Sequence, residues 1–268
     1  TSAAQSNLQK NQALKQLLIE ETPWVFDAEN EASQSKNLAL LLDLAKLDQQ
    51  TDQFIEKLQQ LQLPSGGFAW FKGGYEDRYM TNYILTGIGK LKRLGAFNAD
   101  MASHLNPIVG NAIKWLDNKM QEDYQSIHQN KTTGQKQWQL SSAQIQYLYM
   151  RSFFKDIAQT APEAYRYFYN AGKQHWNDQN QYNQAMLGLV FYRNNDAQFV
   201  NTTILPSILE NTVENTAQGS LHWKSQQTCF WYTSPIEHQS MMISFLQELQ
   251  QDNKSKSLLS AINKARTW

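Results

Sequence analysis

Glu76 and Asp77 stand side by side ahead of a helix-forming stretch. Two carboxylates are what glycoside cleavage requires, one as proton donor and one as nucleophile or base. They must face each other across a sugar, however, and no second acid at that separation can be assigned. Adjacent carboxylates entering a helix serve equally to offset its dipole. Glu237 and His238 offer an acid next to a base, but Glu237 also closes Ser234-Pro-Ile-Glu237, a capping box in which its carboxylate holds a backbone amide. The five histidines, at 104, 128, 175, 222 and 238, contain no i, i+4 pair and no cluster, so neither a metal nor another cofactor is expected. Cys229 is the only cysteine, which excludes an internal disulfide and a thiolate metal site. Beside Phe230, Trp231 and Tyr232 it reads as a small buried hydrophobe rather than a reactive thiol.

The elements that must position these residues are helical. Apolar residues recur at spacings of three and four, several runs open on a cap, and long alternating strands are absent. Lys36 to Leu47 and Thr51 to Leu63 form a hairpin, the second helix offering Phe54, Ile55, Leu58 and Leu61 before Pro64 stops it. From Arg78 to Leu94, Tyr79, Tyr83, Ile84, Ile88, Leu91 and Leu94 make an apolar face, and Gly95 sits where a left-handed cap is expected. Asn106-Pro107 reads as N-cap and first helical residue of a helix to Met120. Ser141 or Ser142 starts a helix carrying Ile145, Leu148 and Ser152, and Thr160-Ala-Pro-Glu163 is a capping box opening Ala164 to Lys173. Tyr182 to Arg193 and Ile204 to Val213 follow, with Pro206 in a first turn, and then the helix of Met241, Met242, Phe245 and Leu249.

Two aromatic connections interrupt this run: Gly66-Gly67-Phe68-Ala69-Trp70 and Gly219-Ser220-Leu221-His222-Trp223, each with Trp four residues after Gly. Each leads after about ten residues into a helix, a loop-then-helix unit repeated with divergence. The second is expected to close a small β-hairpin between Leu221 to Lys224 and Cys229 to Tyr232. The first is the candidate surface for partners: Phe68 and Trp70 lead into Lys72, Gly73 and Gly74, which keep the loop exposed, and Arg78 anchors it to a carbonyl or an acid. The tryptophans at 24, 70, 138, 176, 223 and 231 can line a sugar cleft or pin loops on a core, and pinning is favoured. Helix pairs joined in this way form either an α/α toroid or a superhelix.

Composition narrows the function. Lys plus Arg equals Asp plus Glu at 24 each, so no overall field attracts phosphate backbones or anionic lipid. No stretch approaches the roughly 18 apolar residues of a membrane span, and Thr1 to Lys10 lacks the basic and apolar regions of a signal peptide. Neither nucleic acid nor direct membrane insertion is expected of this segment.

Leu63-Pro-Ser-Gly-Gly-Phe-Ala-Trp-Phe, followed by Arg78-Tyr-Met-Thr-Asn-Tyr-Ile-Leu, resembles the Gly-containing aromatic loop and helix of alpha-2-macroglobulin and complement thioester domains. Trp231-Tyr-Thr-Ser-Pro-Ile-Glu-His-Gln-Ser-Met-Met resembles a later helix of the same domain, in the same order. Ser6-Asn-Leu-Gln-Lys-Asn-Gln-Ala-Leu-Lys and Glu20-Glu-Thr-Pro-Trp-Val are closer still to the large alpha-2-macroglobulin-like proteins of Bacteroidetes-type bacteria. The resemblance covers most of the chain, while Tyr124 to Asn201 contributes helical texture alone. It implies a single α/α toroid over residues 1–268, complete or lacking helices at its ends, within a protease-trapping parent in the periplasm or on the outer-membrane surface. The implied partners are proteases, met through the full-length parent, and the parent's other domains.

The chemistry of that family lies in a Gly-Cys-x-Glu-Gln thioester motif, which this chain does not contain: Cys229 sits in Gln227-Thr-Cys-Phe-Trp. In the resembled proteins the motif precedes the segment corresponding to Ser6. The resemblance therefore places it ahead of Thr1 or leaves the parent without it. Complement relatives use a histidine after the aromatic loop to pass the acyl group to hydroxyls, and Phe68 to Met80 has none, so amine nucleophiles are the expected preference of an intact parent. The chain itself is read as non-catalytic. The alternatives are a polysaccharide-active toroid enzyme, using Glu76, Asp77 or Glu237, and a helical-repeat interaction module.

Overall fold

The computed structural model describes residues 44–97, 99–132, 140–224 and 234–267 of the 268-residue chain. Two compact units divide it, Thr1–Gln60 and Leu61–Trp268. Helix α1 (Leu44–Leu61) makes up the described part of the first. It runs unbroken through residues 48–50, where the sequence suggested a connection, because Asp48, Gln49 and Gln50 include no glycine or proline to end it. The upstream half of that expected hairpin, residues 36–43, lies outside the described residues. Ile55 is buried, while Phe54 and Leu61 are exposed and the Lys57 ammonium lies 5.7 Å from the Phe54 ring.

The second unit is all-α with one short β-hairpin. Its helices are α2 (Arg78–Arg93), α3 (Ala99–Thr132), α4 (Ser142–Arg151), α5 (Pro162–His175), α6 (Gln181–Arg193), α7 (Pro235–Asn253) and α8 (Lys256–Arg266), with a further helical run over residues 197–210 between α6 and the hairpin. Helices α2, α4, α6 and α7 pack side by side as a row, and α3 and α5 pack on that row and on each other, the two-layered alternation of α/α hairpins. Helix α6 is buried on every residue from Asn183 to Phe191, as expected of a helix enclosed by neighbours on all sides. Each fully buried leucine, isoleucine or phenylalanine of this row contributes roughly 1.5–3 kcal/mol.

Helix α2 ends as its glycine dictates. Gly95 takes φ 69°, its amide donates to the Lys92 carbonyl, and the Ala96 amide reaches back to the Leu91 carbonyl, so two terminal carbonyls gain partners. The buried face of α2 is rotated from the one expected. Thr81, Asn82, Leu85, Ile88 and Gly89 face inward, while Tyr83, Leu91 and Leu94 are exposed. At Gly89 a Cβ would lie 2.6 Å from the side chain of Phe153, in the turn just after α4, so this close contact selects a glycine and turns the aromatic residues outward.

Other helix starts also differ from the sequence reading. Helix α3 begins at Ala99 and continues through Pro107. A proline inside a helix costs about 3 kcal/mol, but here its ring is exposed while Leu105, Ile108, Val109, Ala112, Ile113 and Leu116 bury the opposite side. Helix α5 is capped at Ala161, because Thr160 is drawn away: its amide and hydroxyl both donate to Asp117 Oδ2, at 2.9 and 3.1 Å. Glu163 remains in the first turn, where its charge suits the dipole. Pro206 does stand in the first turn of the α-helix Leu205–Glu210, as expected, and it follows a π turn (Val200–Ile204) in which the Leu205 amide donates to the Val200 carbonyl. That helix stops at Glu210, and Val213 belongs to a strand.

The hairpin pairs β1 (Thr212–Asn215) with β2 (Ser220–Trp223), register Thr212 opposite Trp223. The aromatic segment thus finds its partner upstream. The expected partner, Cys229 to Tyr232, lies outside the described residues, as does Cys229 itself.

Candidate functional site

The aromatic loop after α1 is tied down at its base. Phe68, 1% exposed, bridges Gln62 on one side and Asp77 on the other. Its amide donates to Thr81 Oγ1 at 2.9 Å, and the Asp77 amide returns to the Phe68 carbonyl at 2.8 Å. The Gln62 side-chain amide donates to the carbonyls of Gly66 and Ile108, at 2.9 and 2.8 Å. Above this base the chain turns back at Phe71 to Gly74, joined by a 3.0 Å hydrogen bond, with Lys72 and Gly73 at the exposed tip. Trp70 (53%), Phe71 (73%) and Tyr75 (93%) face solvent. Arg78 holds the far end: Nη1 donates to both Asp123 oxygens, at 2.9 and 2.7 Å, and Nη2 to the Lys119 carbonyl at 3.0 Å. This planar fork is the geometry in which arginine outperforms lysine.

The candidate acids separate. Asp77 caps α2, its Oδ1 accepting from the Met80 amide at 2.8 Å. Glu76 is exposed, and a hydrogen bond from the Ser65 side chain draws its pKa down. A glycosidic proton donor needs the opposite shift. Ser234 caps α7 by accepting from the Glu237 amide at 3.3 Å. His238 is buried, which lowers its pKa through desolvation.

Glu237 instead joins a concavity that sequence reasoning did not find. The four row helices α2, α4, α6 and α7 converge on a pocket of about 270 Å³. Four tyrosines (79, 83, 149 and 182) form its aromatic walls, Met186 and Met241 are its buried apolar residues, and Asn82, Lys90, Gln146 and Glu237 supply polar groups. Asn82 is 4% exposed, yet its Oδ1 has no hydrogen-bond partner. Lys90 is exposed as a residue, but desolvation around its ammonium lowers its pKa despite the opposing pull of Glu237. Burial raises the phenols of Tyr149 and Tyr182 above their ordinary range, so both are neutral hydroxyls at physiological pH. The pocket connects to the loop through stacked rings: Trp70 on Tyr79 at 5.8 Å and 7°, and Tyr79 on Tyr83 at 6.2 Å. The sequence signal was Tyr79, Asn82, Tyr83 and Thr86, a polar and aromatic stripe at helical spacing.

Two charged clusters elsewhere are structural. Asp117, fully buried, accepts from the Tyr147 hydroxyl at 2.7 Å and from Thr160, with Arg151 Nε 3.2 Å away. Glu248 accepts from Arg193 Nε and Nη2, both at 2.8 Å, and pairs with Arg93. With these partners in place both clusters brace α3, α4 and α6 against their neighbours. Among the described residues no group of three or more histidine, cysteine, aspartate or glutamate side chains is placed to hold a metal, and no helix is long and apolar enough to cross a membrane. Comparison of the chain with protein-family models, curated proteins and solved structures gives no match.

Proposed function

We propose that this chain is a non-catalytic helical domain of an alpha-2-macroglobulin-like protease trap, and that it meets another domain of the parent through the aromatic loop. One observation carries the contact role: Trp70, Phe71 and Tyr75 stand in solvent on a base fixed by Phe68 and the Arg78–Asp123 fork. Exposed aromatic residues on a rigid support give up little conformational freedom on docking, which is what an interface core needs. The trapping role rests on the resemblance of the loop and of the helix opened by Ser234-Pro-Ile-Glu237. The second reading, a polysaccharide-active enzyme, is weakened by Asp77 acting as a cap and by the lowered pKa of Glu76.

The test uses the full-length parent incubated with trypsin. Hydrolysis of casein should fall while cleavage of a small chromogenic peptide continues, because a trapped protease is shielded from large substrates alone. Unchanged casein hydrolysis would overturn the trap reading. In the parent, joint replacement of Trp70, Phe71 and Tyr75 by alanine should reduce trapping several-fold, and trapping at the wild-type level would remove the loop from the interface. Polysaccharide degradation that vanishes on replacing Glu76, Asp77 or Glu237 by alanine would establish the enzyme reading instead.

A further inference from the structure

Two opposite charges stand at the mouth of the pocket among α2, α4, α6 and α7 without bridging each other. Lys90 and Glu237 both line this cavity of about 270 Å³, and both are exposed. Among the described residues neither side chain is engaged in an ion pair or a hydrogen bond. They nevertheless share one space: desolvation lowers the pKa of the Lys90 amine, and the Glu237 charge pulls it the other way. Burial raises the Tyr182 phenol, and the Glu237 charge adds to that rise, so this carboxylate is felt on both α2 and α6. Below the charged mouth the lining is less polar, with Tyr149, Met186 and Met241 all buried. From this arrangement we propose that the pocket binds a zwitterionic α-amino acid with an apolar side chain. Its carboxylate meets Lys90, its ammonium meets Glu237, and its side chain points to the buried end. The site is independent of the trapping role.

Charge pairing separates this ligand from simpler ones. An anion gains from Lys90 but is opposed by Glu237, a cation gains from Glu237 but is opposed by Lys90, and a neutral molecule leaves both charges as unpaired as before. A molecule with both charges pairs each side chain, and hydrogen bonds between ionised groups are roughly twice as strong as neutral ones. The ammonium and carboxylate of an α-amino acid are attached to one carbon, which suits two side chains that feel each other's charge without forming a direct pair. Desolvation around Lys90 works in the same direction, because an ammonium partly removed from water attracts a carboxylate more strongly than one in bulk solvent. The buried end accounts for the side chain. Methionine is adaptable and makes favourable contacts with both aliphatic and aromatic groups, and Met186 and Met241 lie beside the ring of Tyr149 in the lining. The volume lies just below the roughly 300–1,000 Å³ of drug-sized sites, which fits a single amino acid and not a longer peptide.

The test is isothermal titration of the whole chain with the free L-amino acids leucine, methionine and phenylalanine, and with glycine as a head group that lacks a side chain. Whichever binds best is then compared with its N-acetyl derivative, an anion, and its carboxamide, a cation. At least one of the three apolar amino acids should bind saturably, and glycine and both blocked derivatives should bind about tenfold more weakly or worse. Lys90→Met and Glu237→Gln alter exposed side chains, so the helical signal should stay at the wild-type level. Each should weaken the free amino acid about tenfold. Lys90→Met should also shift the preference between the blocked forms toward the carboxamide, and Glu237→Gln should shift it toward the N-acetyl form, which a purely structural role of either residue would not do. The proposal fails if no apolar amino acid binds, if a blocked form or glycine binds as tightly as the free amino acid, or if either folded variant leaves affinity and preference unchanged.

Discussion

The two glycine-marked aromatic connections start from nearly the same spacing and end with opposite placements of their tryptophans. In β2, Leu221 and Trp223 are both buried, at 7% and 3% exposure, and Trp223 Nε1 donates to the Ile208 carbonyl at 2.8 Å. In the first loop the equivalent pair is Phe68 and Trp70, and there Phe68 is buried while Trp70 is half in solvent. Residues two apart in a strand share a face, so the same alternation should bury both. The difference is the length of the ladder. Four residue pairs in the hairpin carry the alternation as far as Trp223, whereas the first loop is paired at Phe68 alone and the chain turns away before Trp70. One tryptophan therefore anchors the fold, and the other is left for the stacked row and the surface.

The largest effect that can break this comparison is truncation of each tryptophan. Trp223→Ala should cost about 3–5 kcal/mol in denaturant unfolding. Trp70→Ala loses stacking on Tyr79 worth about 0.5–1.5 kcal/mol. Equal losses would mean that Trp70 is also an anchor. Next come the glycines that open the two segments. At Gly66, φ is 99° and a Cβ would lie 2.4 Å from the Asn111 carbonyl oxygen, whereas at Gly219, φ is 64° and nothing lies within 4 Å. Left-handed strain alone costs about 1–2 kcal/mol, so Gly219→Ala should lose that much. Gly66→Ala adds an overpacking cost of about 1–3 kcal/mol, and equal melting temperatures for the two would refute the distinction. Arg78→Lys should cost about 1 kcal/mol, because a single ammonium cannot hold both Asp123 and the Lys119 carbonyl as the two guanidinium nitrogens do. Limited proteolysis should then cut faster between Lys72 and Arg78, and an unchanged cleavage rate would show that the loop is held by Phe68 alone.

Sequence patterns were most legible where one residue type has one use. Gly95 ends α2 as the expected left-handed cap, and Ser234 caps α7 through its side-chain oxygen. They failed where a distant partner competed. Thr160 has the spacing of a cap, but Asp117, 43 residues away in sequence, takes both its donors. Pro107 has the appearance of a first helical residue, and continuous burial on the opposite face overrode it. The aromatic face of α2 was misplaced because tyrosines count as apolar in a periodicity, while Gly89 against Phe153 decided which side packs. The pocket was hidden for a related reason. Its residues come from four helices, and Asn82 differs from any mid-helix asparagine only once the surrounding helices have closed over it.

The smallest effect separates the two regions by pH. Helix α7, which backs β2, carries buried His238, whose folded pKa lies below its ordinary 6.5 because burial opposes charging. Below pH 6.5 the unfolded chain takes up a proton that the folded chain refuses, so stability falls with pH until the folded pKa is reached, by at most about 1.4 kcal/mol per pH unit. Above pH 6.5 this group contributes no slope. Glu76, in the first loop, also has a lowered pKa, but its window is separate. Its stabilisation is present above the ordinary 4.5 and disappears as the pH falls through the lower folded value. Chemical denaturation of His238→Gln should therefore flatten the decline that starts at pH 6.5 and leave the acidic one, whereas Ser65→Ala should diminish only the decline below pH 4.5. A wild-type slope just below pH 6.5 in His238→Gln would show that the region behind the hairpin is not where the first proton enters.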